Sequence, residues 1–475
     1  MFFPSFKAVK KARRHSKAAR RSLSPAMSTA NTPAAPQWSS RLGFILASAG
    51  SAIGLGAIWK FPFWAGANGG AAFIIPFIVF TMTVGLVLVA AEIALGRRGR
   101  GSTVSAMRRV GGRAWGLMGA FSVLTSFLIL SYYAVVGGWC AAYLANAVTG
   151  DVVSNDPAAL RAQFADLVST DWKNLFWFAV FLLLTAATAA LGVERGIERL
   201  AKYLMPTLFV LMVVLIVRGL MLPGAWAGVE YLFDFRWESV TAASIRDAMG
   251  FTFFSLSLGA GVLVTYGTYV PKSTSIPKAS FWVAVLTIEA ALLSGLMTMP
   301  AAFAFGLSPD AGPGLVFITV PMIFERIPAG GLFAVLFYVC LLVAALTSSV
   351  SLLEVVVAFL KNEWHFSRRA ATVMSGALLF VLGSISALSF GSWSGFTLFG
   401  RSIFDCLDFI CSNVMMPAGG LAVALLMGWK VWETTCTELS TPSGPGPAAL
   451  ELARVLLAYL SPILILATVY QGVFF

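Results

Sequence analysis

The chain is predicted to be an all-α membrane protein, and composition and hydropathy decide that class. Of its 475 residues 58% are hydrophobic and 11% charged, with a mean hydropathy of +0.84, against about a quarter charged in soluble domains. Apolar runs of about 20 residues, long enough to cross a bilayer, recur from end to end. A third observation, the alternating charge of the connections, gives the topology. The net charge is +12, but the basic residues cluster at span ends, which speaks for orientation in a lipid bilayer and not for a nucleic-acid partner. Cys140, Cys340, Cys406, Cys411 and Cys436 fall in or near apolar runs without metal-ligand spacing and read as packing residues with no disulfide framework.

Residues 1–37 are polar and basic, with Lys7, Lys10, Lys11, Arg13, Arg14, Lys17, Arg20 and Arg21 ahead of a Ser/Ala/Pro stretch. No apolar segment follows directly, so a cleaved signal peptide is not expected. The stretch reads as a disordered tail held in the cytoplasm by its charge, and Met27 is an alternative start that would remove most of it. About eleven spans follow, over 41–66, 71–96, 115–147, 174–192, 202–221, 241–270, 279–306, 332–360, 371–390, 398–428 and 449–472. Arg97, Arg98, Arg100, Arg108, Arg109 and Arg113 follow the second span, and Arg195, Arg199 and Lys202 the fourth. Lys272 and Lys278 follow the sixth, and Lys361, Arg368 and Arg369 the eighth, while the loop after the third carries Asp151, Asp156, Asp166 and Asp171. The positive-inside rule then places the N-terminus in the cytoplasm and, for an odd number of spans, the C-terminus outside.

The first span is interrupted. Gly50, Gly54 and Gly56 crowd its middle, and Lys60 and Pro62 follow. Glycine costs a helix interior about 1 kcal/mol against alanine, and in hydrocarbon every freed backbone group needs a partner inside the protein. One reading is a helix broken at mid-depth, its half-helix ends offering carbonyls to a cation and N–H groups to an anion. The other is a tightly packed helix pair using Gly50-x-x-x-Gly54. The sixth span repeats the anomaly in Phe253-Phe254-Ser255-Leu256-Ser257-Leu258-Gly259-Ala260-Gly261, with Pro271 beyond. Two interrupted spans, five apart, are what a five-plus-five inverted repeat produces, with chance glycines as the alternative. The eighth span adds Thr347-Ser348-Ser349, hydroxyls that either bond back to their own helix or complete an oxygen shell for a small hard cation.

Several motifs then resemble one family. They are Gln37-Trp38-Ser39-Ser40-Arg41-Leu42-Gly43 through Pro62, Glu92 with Gly96-Arg97, Tyr132-Tyr133 with Trp139, and Gly196-Ile197-Glu198-Arg199 running to Met205-Pro206-Thr207. Phe253 to Gly261 with Tyr266 and Tyr269, Leu346 to Ser349, and Leu407-Asp408-Phe409 continue the order. From Trp38 to the C-terminus the chain resembles the neurotransmitter:sodium symporters, in particular bacterial members of the leucine-transporter type, many of which lack a twelfth span. The resemblance implies a transporter domain over 38–475, with repeat one at 41–221, repeat two at 241–428 and an extra helix at 449–472. It also implies a bacterial inner membrane.

Carried over residue by residue, the resemblance implies a second sodium site of the Gly50, Ile53 and Ala344 carbonyls and the Thr347 and Ser348 hydroxyls. An all-oxygen shell suits a hard cation. An amino-acid substrate would lie against Ser51, its carboxylate meeting the N–H groups around Leu55 and Gly56 and the Tyr133 hydroxyl. Its ammonium would meet the Ala52, Phe254 and Ser255 carbonyls and Ser257. Ile129, Phe254, Ala260, Ser348, Leu352 and Tyr133 would choose the side chain. Ala260 stands where leucine-type members carry a large aromatic, which frees volume for a bulky apolar or aromatic substrate. The first sodium site departs from the pattern: Ala57 and Thr287 replace its usual side-chain amides or carboxylates. That leaves the Ala52 carbonyl, Ser255, the Thr287 hydroxyl and the substrate carboxylate, so either one or two sodium ions are used. Glu289 does not compensate, being about 200° around the helix from Thr287. The chloride positions of some relatives read Phe77, Phe251 and Ala291, so chloride use is not expected.

Lys60 and Asp408 match the family's outer gate, closing over Tyr133 and Phe254; the alternative for Lys60 is a snorkelling lysine. Both partners of the inner gate are replaced, by Ala35 and Asn362, which leaves inner closure to Trp38, Tyr269 or another pair. Glu92 matches a carboxylate supporting the unwound backbone, the alternative being a helix-end acid beside Arg97. An enzyme is not expected: His15 and His365 are the only histidines, and no H-E-x-x-H or Ser/His/Asp set falls in the spans. The nearest rival is a proton-coupled amino-acid permease of the same fold, with Glu289 as its proton carrier.

Overall fold

A computed structural model describes residues 37–151, 156–306, 317, 320–325, 328–440 and 444–474. Gln37–Phe475 form one compact unit; the basic tail lies outside the described residues. The first span is α1 (Arg41–Ala52) and α2 (Phe61–Ala67), joined through a π turn at Gly56–Lys60 and bent by 59°. Ser40 starts α1 by accepting from the Gly43 N–H, which satisfies one of the orphan donors of a helix start. At 12 residues α1 reaches about 18 Å, which is roughly half of a membrane.

The chain continues through α3 (Ala71–Gly99), α4 (Thr103–Gly111), α5 (Arg113–Thr149), α6 (Pro157–Ser169), α7 (Asp171–Ala190) and α8 (Val193–Leu220). After the short α9 (Trp226–Phe233), the sixth span is α10 (Ala242–Ser255) and α11 (Val262–Thr268). A Thr241/Ser244 capping box opens α10. Then follow α12 (Ile276–Ala304), α13 (Val320–Glu325), α14 (Gly330–Glu363), α15 (Arg368–Leu388), α16 (Ile403–Lys430), α17 (Trp432–Leu439) and α18 (Pro447–Tyr470).

Among the described residues nine of these helices are long and apolar enough to cross a membrane, and the bent α1/α2 pair makes ten. The α10/α11 pair completes the predicted set, though neither half is long enough to span by itself. Both predicted interruptions are present, and they open the two sets of five spans. The second is held by the backbone: Ser257, Gly259 and Gly261 have φ of +52°, +80° and +78°. At Gly259 a side chain would also overlap the Met416 carbonyl of α16, so only glycine allows both the turn and this approach. The long α5 and α14 pack against each other and frame the two breaks.

Candidate functional site

Where the first span unwinds, the Leu55 N–H donates to the buried Tyr133 hydroxyl of α5 at 3.0 Å. The Ser257 hydroxyl, from the second break, donates to the Ser51 carbonyl at 3.1 Å. Ser348 of α14 donates to the Gly50 and Ser51 carbonyls at 3.2 and 2.8 Å, and the Ser51 and Ser351 hydroxyls lie 2.7 Å apart. Freed carbonyls of α1 thus find partners on α14 and on the other broken span, as a hydrocarbon surrounding requires.

A cavity of about 40 Å³ lies between the two breaks. Of the predicted substrate residues, Ser51, Ala52, Gly56, Ile129, Tyr133, Phe254, Ser257, Ala260, Ser348 and Leu352 line it. Two do not. Leu55 lines a neighbouring cavity, and Ser255 turns its hydroxyl back to the Thr252 carbonyl at 3.3 Å. Gly54 and Met416 line it unforeseen. Nothing in the sequence separates Met416 from the other methionines; the close approach of α16 at Gly259 brings it in.

The neighbouring cavity, also about 40 Å³, is lined by Lys60, Asp408, Tyr132 and Phe404 and shares Gly56, Tyr133 and Phe254 with the first. Phe254, with Gly56 and Tyr133, thus belongs to the wall of both. The Lys60 ammonium sits 4.1 Å from the Phe254 ring centroid and 3.5 Å from the Asp408 carboxylate, which brings the four residues expected to form the outer gate together. The Lys60 and Asp408 side chains are 23% and 34% exposed, so the pair is easily exchanged for water. A Cβ at Gly56 would overlap the Phe254 ring.

The predicted second sodium site assembles in part. Gly50 and Ser348 are hydrogen-bonded, and Thr347 bonds back to the Ala344 carbonyl at 3.0 Å, so four of the five groups meet in two contacting pairs. Ile53 closes the end of α1, its N–H donating to the Ala49 carbonyl at 2.7 Å. The donor set is all oxygen and neutral, which fits a sodium ion carried as cargo. The predicted first site is poorer. Thr287 donates to the Val283 carbonyl of its own helix at 2.8 Å, and among the described residues no hydrogen bond joins it to Ala52 or Ser255. Glu289, two residues on, faces outward while Thr287 is buried, as their separation around the helix requires. The three positions associated with chloride are filled: Phe77, Phe251 and Ala291 belong to an apolar cluster with Phe61 and Phe73, and the Phe77 and Phe251 rings are 5.1 Å apart.

Support for the breaks comes from Glu92 of α3, which is fully buried and accepts from the Gly259 N–H at 2.7 Å. At the other end of α1, Trp38 donates through Nε1 to the Tyr266 carbonyl at 3.0 Å and packs edge-on against the Tyr266 and Tyr269 rings. Beside Tyr269 lies a buried polar network that sequence reasoning overlooked. The Tyr269 hydroxyl donates to Glu354 of α14 at 2.8 Å, and Glu354 is ion-paired with Arg368 of α15. Arg368 also donates to the Ala189 carbonyl of α7 at 2.8 Å. Asn362 bonds back to the Ala358 carbonyl of its own helix, and Ala35 lies outside the described residues. The overlooked signal is a carboxylate inside Leu352-Leu353-Glu354-Val355-Val356, which is costly in a span and marks a function. Glu198 of α8 is a second such residue. It accepts from Ser39 and Ser40 and pairs with Lys202 at 2.8 Å.

A sequence model described as the sodium:neurotransmitter symporter family matches residues 35–157 and 159–474. The chain belongs to that family. Among its symporter relatives, an uncharacterised sodium-dependent transporter of Bacillus subtilis (strain 168) is 40% identical over 90% of this chain and 96% of its own length. A sodium-dependent transporter of Haemophilus influenzae is 32% identical over 87% and 93%. The solved structure of MhsT, in complex with L-phenylalanine, superimposes with a TM-score of 0.86 at 40% identity, covering 93% of this chain and all of that one. The protein is thus a sodium-dependent symporter with the fold of the leucine transporter, a multi-pass membrane transporter and not an enzyme.

Proposed function

We propose that the protein imports a bulky neutral amino acid, apolar or aromatic, together with sodium by alternating access. The observation that carries this is the cavity at the two breaks. Its polar groups are backbone and hydroxyl, its side-chain end is Ile129, Phe254, Ala260, Leu352 and Met416, and among the described residues no charged side chain lines it. The zwitterion's charges are met by half-helix ends, and the apolar end gains roughly 25 cal/mol per Å² buried. MhsT, solved with L-phenylalanine, supports the same substrate class. Sodium binding at Gly50, Ile53, Ala344, Thr347 and Ser348 stabilises the outward-open state, substrate completes the site, and Phe254 and Lys60 close before Glu354 and Arg368 release. One sodium is carried at that site, and a second only if Ala52, Ser255 and Thr287 hold it. Basic connections place the N-terminus in the cytoplasm and the C-terminus in the periplasm of a bacterial inner membrane, with residues 1–37 as a cytoplasmic tail.

Competition against labelled phenylalanine in proteoliposomes tests the substrate class: leucine, phenylalanine and tryptophan are expected to displace it well below the concentrations needed for glycine or alanine. The opposite order refutes the proposal. Replacing sodium by choline at constant pH is expected to abolish accumulation. Uptake that persisted would favour a proton-coupled permease, although Glu289, the carboxylate such a mechanism would use, faces away from the cavity. The aromatic cluster around Phe77 and Phe251 supports chloride independence, so exchanging chloride for gluconate should leave initial rates unchanged; a rate lowered tenfold would contradict it.

A further inference from the structure

α7 and α15 pack together, with the Phe178 and Phe380 rings stacked 5.6 Å apart, and a groove of about 670 Å³ runs along their seam. Its walls are apolar: Ala186, Ala190, Thr372, Gly376 and Phe380 line it, with Arg369 at one end. On α7 the lining runs from Ala179 to Ala190, about 17 Å at 1.5 Å per residue, close to the depth of one leaflet of a hydrocarbon core about 30 Å thick. Arg369 is exposed, and among the described residues it has no partner, whereas Arg368 beside it is committed to Glu354 and Ala189. Arg369 is the one charged residue among those that line the groove, so that end is basic.

We propose that this groove binds one anionic phospholipid, an acyl chain lying along α7 and α15 and the phosphate paired with Arg369. A lone guanidinium at headgroup depth above an apolar trough complements such a molecule at both ends, whereas a neutral lipid would satisfy the trough alone. That the leaflet is the cytoplasmic one rests on the orientation proposed above; the site itself does not. Because Arg368 and Arg369 share the first turn of α15, the lipid would sit next to the Tyr269–Glu354–Arg368 network and hold the end of α15 against α7.

The test is native mass spectrometry of the purified full-length protein titrated with phosphatidylglycerol and with phosphatidylcholine of the same acyl chains. Phosphatidylglycerol is expected to bind more tightly. Arg369→Gln should weaken it about fivefold, the usual worth of one basic side chain at a membrane surface, without changing phosphatidylcholine. Gly376→Leu should weaken both lipids; a Cβ there meets nothing within 4 Å, so the new side chain starts in open space at the groove. Equal affinity of the wild type for the two lipids, or Gly376→Leu with both affinities intact, would overturn the proposal. A measurement on the wild type alone guards against a misfolded variant: phosphatidylglycerol with a photoreactive acyl chain should label peptides of α7 and α15. Labelling spread evenly over outward-facing α8, at Val210, Val213 and Val217, would overturn it. So would a dimer that loses its lipid on assembling through this seam, which would assign the groove to a second copy of the chain.

Discussion

Replacing Arg368 with alanine is expected to abolish most sodium-driven uptake while leaving substrate binding measurable. Glu354 is fully buried and holds both the Tyr269 hydroxyl and the Arg368 guanidinium. Taking one partner from a buried pair costs about 3–5 kcal/mol, because the remaining charge is stranded. In the closed state that charge is dry, whereas opening the end of α1 beside Trp38 admits water to it. The same energy therefore favours the open state by a factor on the order of 10² to 10³. Two measurements check this: initial uptake, and the alkylation rate of a cysteine placed at Ser48, which is fully buried here and should react at least tenfold faster in the variant. Adding Glu354→Gln, which keeps an acceptor for Tyr269 and removes the stranded charge, should restore part of the uptake. A single variant transporting within twofold of wild type would show that this network does not gate.

The second large effect is expected at Ser348. Its hydroxyl donates to both the Gly50 and Ser51 carbonyls, so Ser348→Ala takes a donor from the Gly50 carbonyl, leaves the Ser51 carbonyl with Ser257 alone and removes one oxygen proposed for sodium. A loss of about 1–3 kcal/mol should raise the sodium concentration for half-maximal uptake at least about fivefold, at 1.4 kcal/mol per decade. Ser349→Ala is the control: that hydroxyl bonds the Leu346 carbonyl and Thr185, away from α1, so the sodium dependence should not move. Equal shifts in both variants would refute the assignment.

Those hydroxyls also mark how far the sequence could be read. Glycines and serines inside long apolar runs violate the rules for a span, so both breaks, and with them the fold, were legible. The Thr347-Ser348-Ser349 run has three fates: back-bonding within α14, crossing to α1, and crossing to α7. Composition cannot distinguish them, because the choice depends on which neighbour each face of α14 meets. The cavity wall was legible where local anomalies marked it and illegible at Met416, an ordinary side chain in an ordinary run. Glu354 carried a signal, but its partner Arg368 read as a topology charge among others, since the pairing exists only once α14 and α15 are packed.

The aromatic rings at Phe61, Phe73, Phe77 and Phe251 have an electrical consequence. On the chloride-free reading proposed above, hydrocarbon occupies the place where a halide would ride, so nothing neutralises the cation carried with a zwitterion. Each turnover then moves net positive charge inward, and transport reports itself as a current. An interior-negative potential of 100 mV contributes about 2.3 kcal/mol for every sodium carried, roughly fiftyfold in the concentration ratio the cell can hold. A voltage clamp would thus count the ions per amino acid directly.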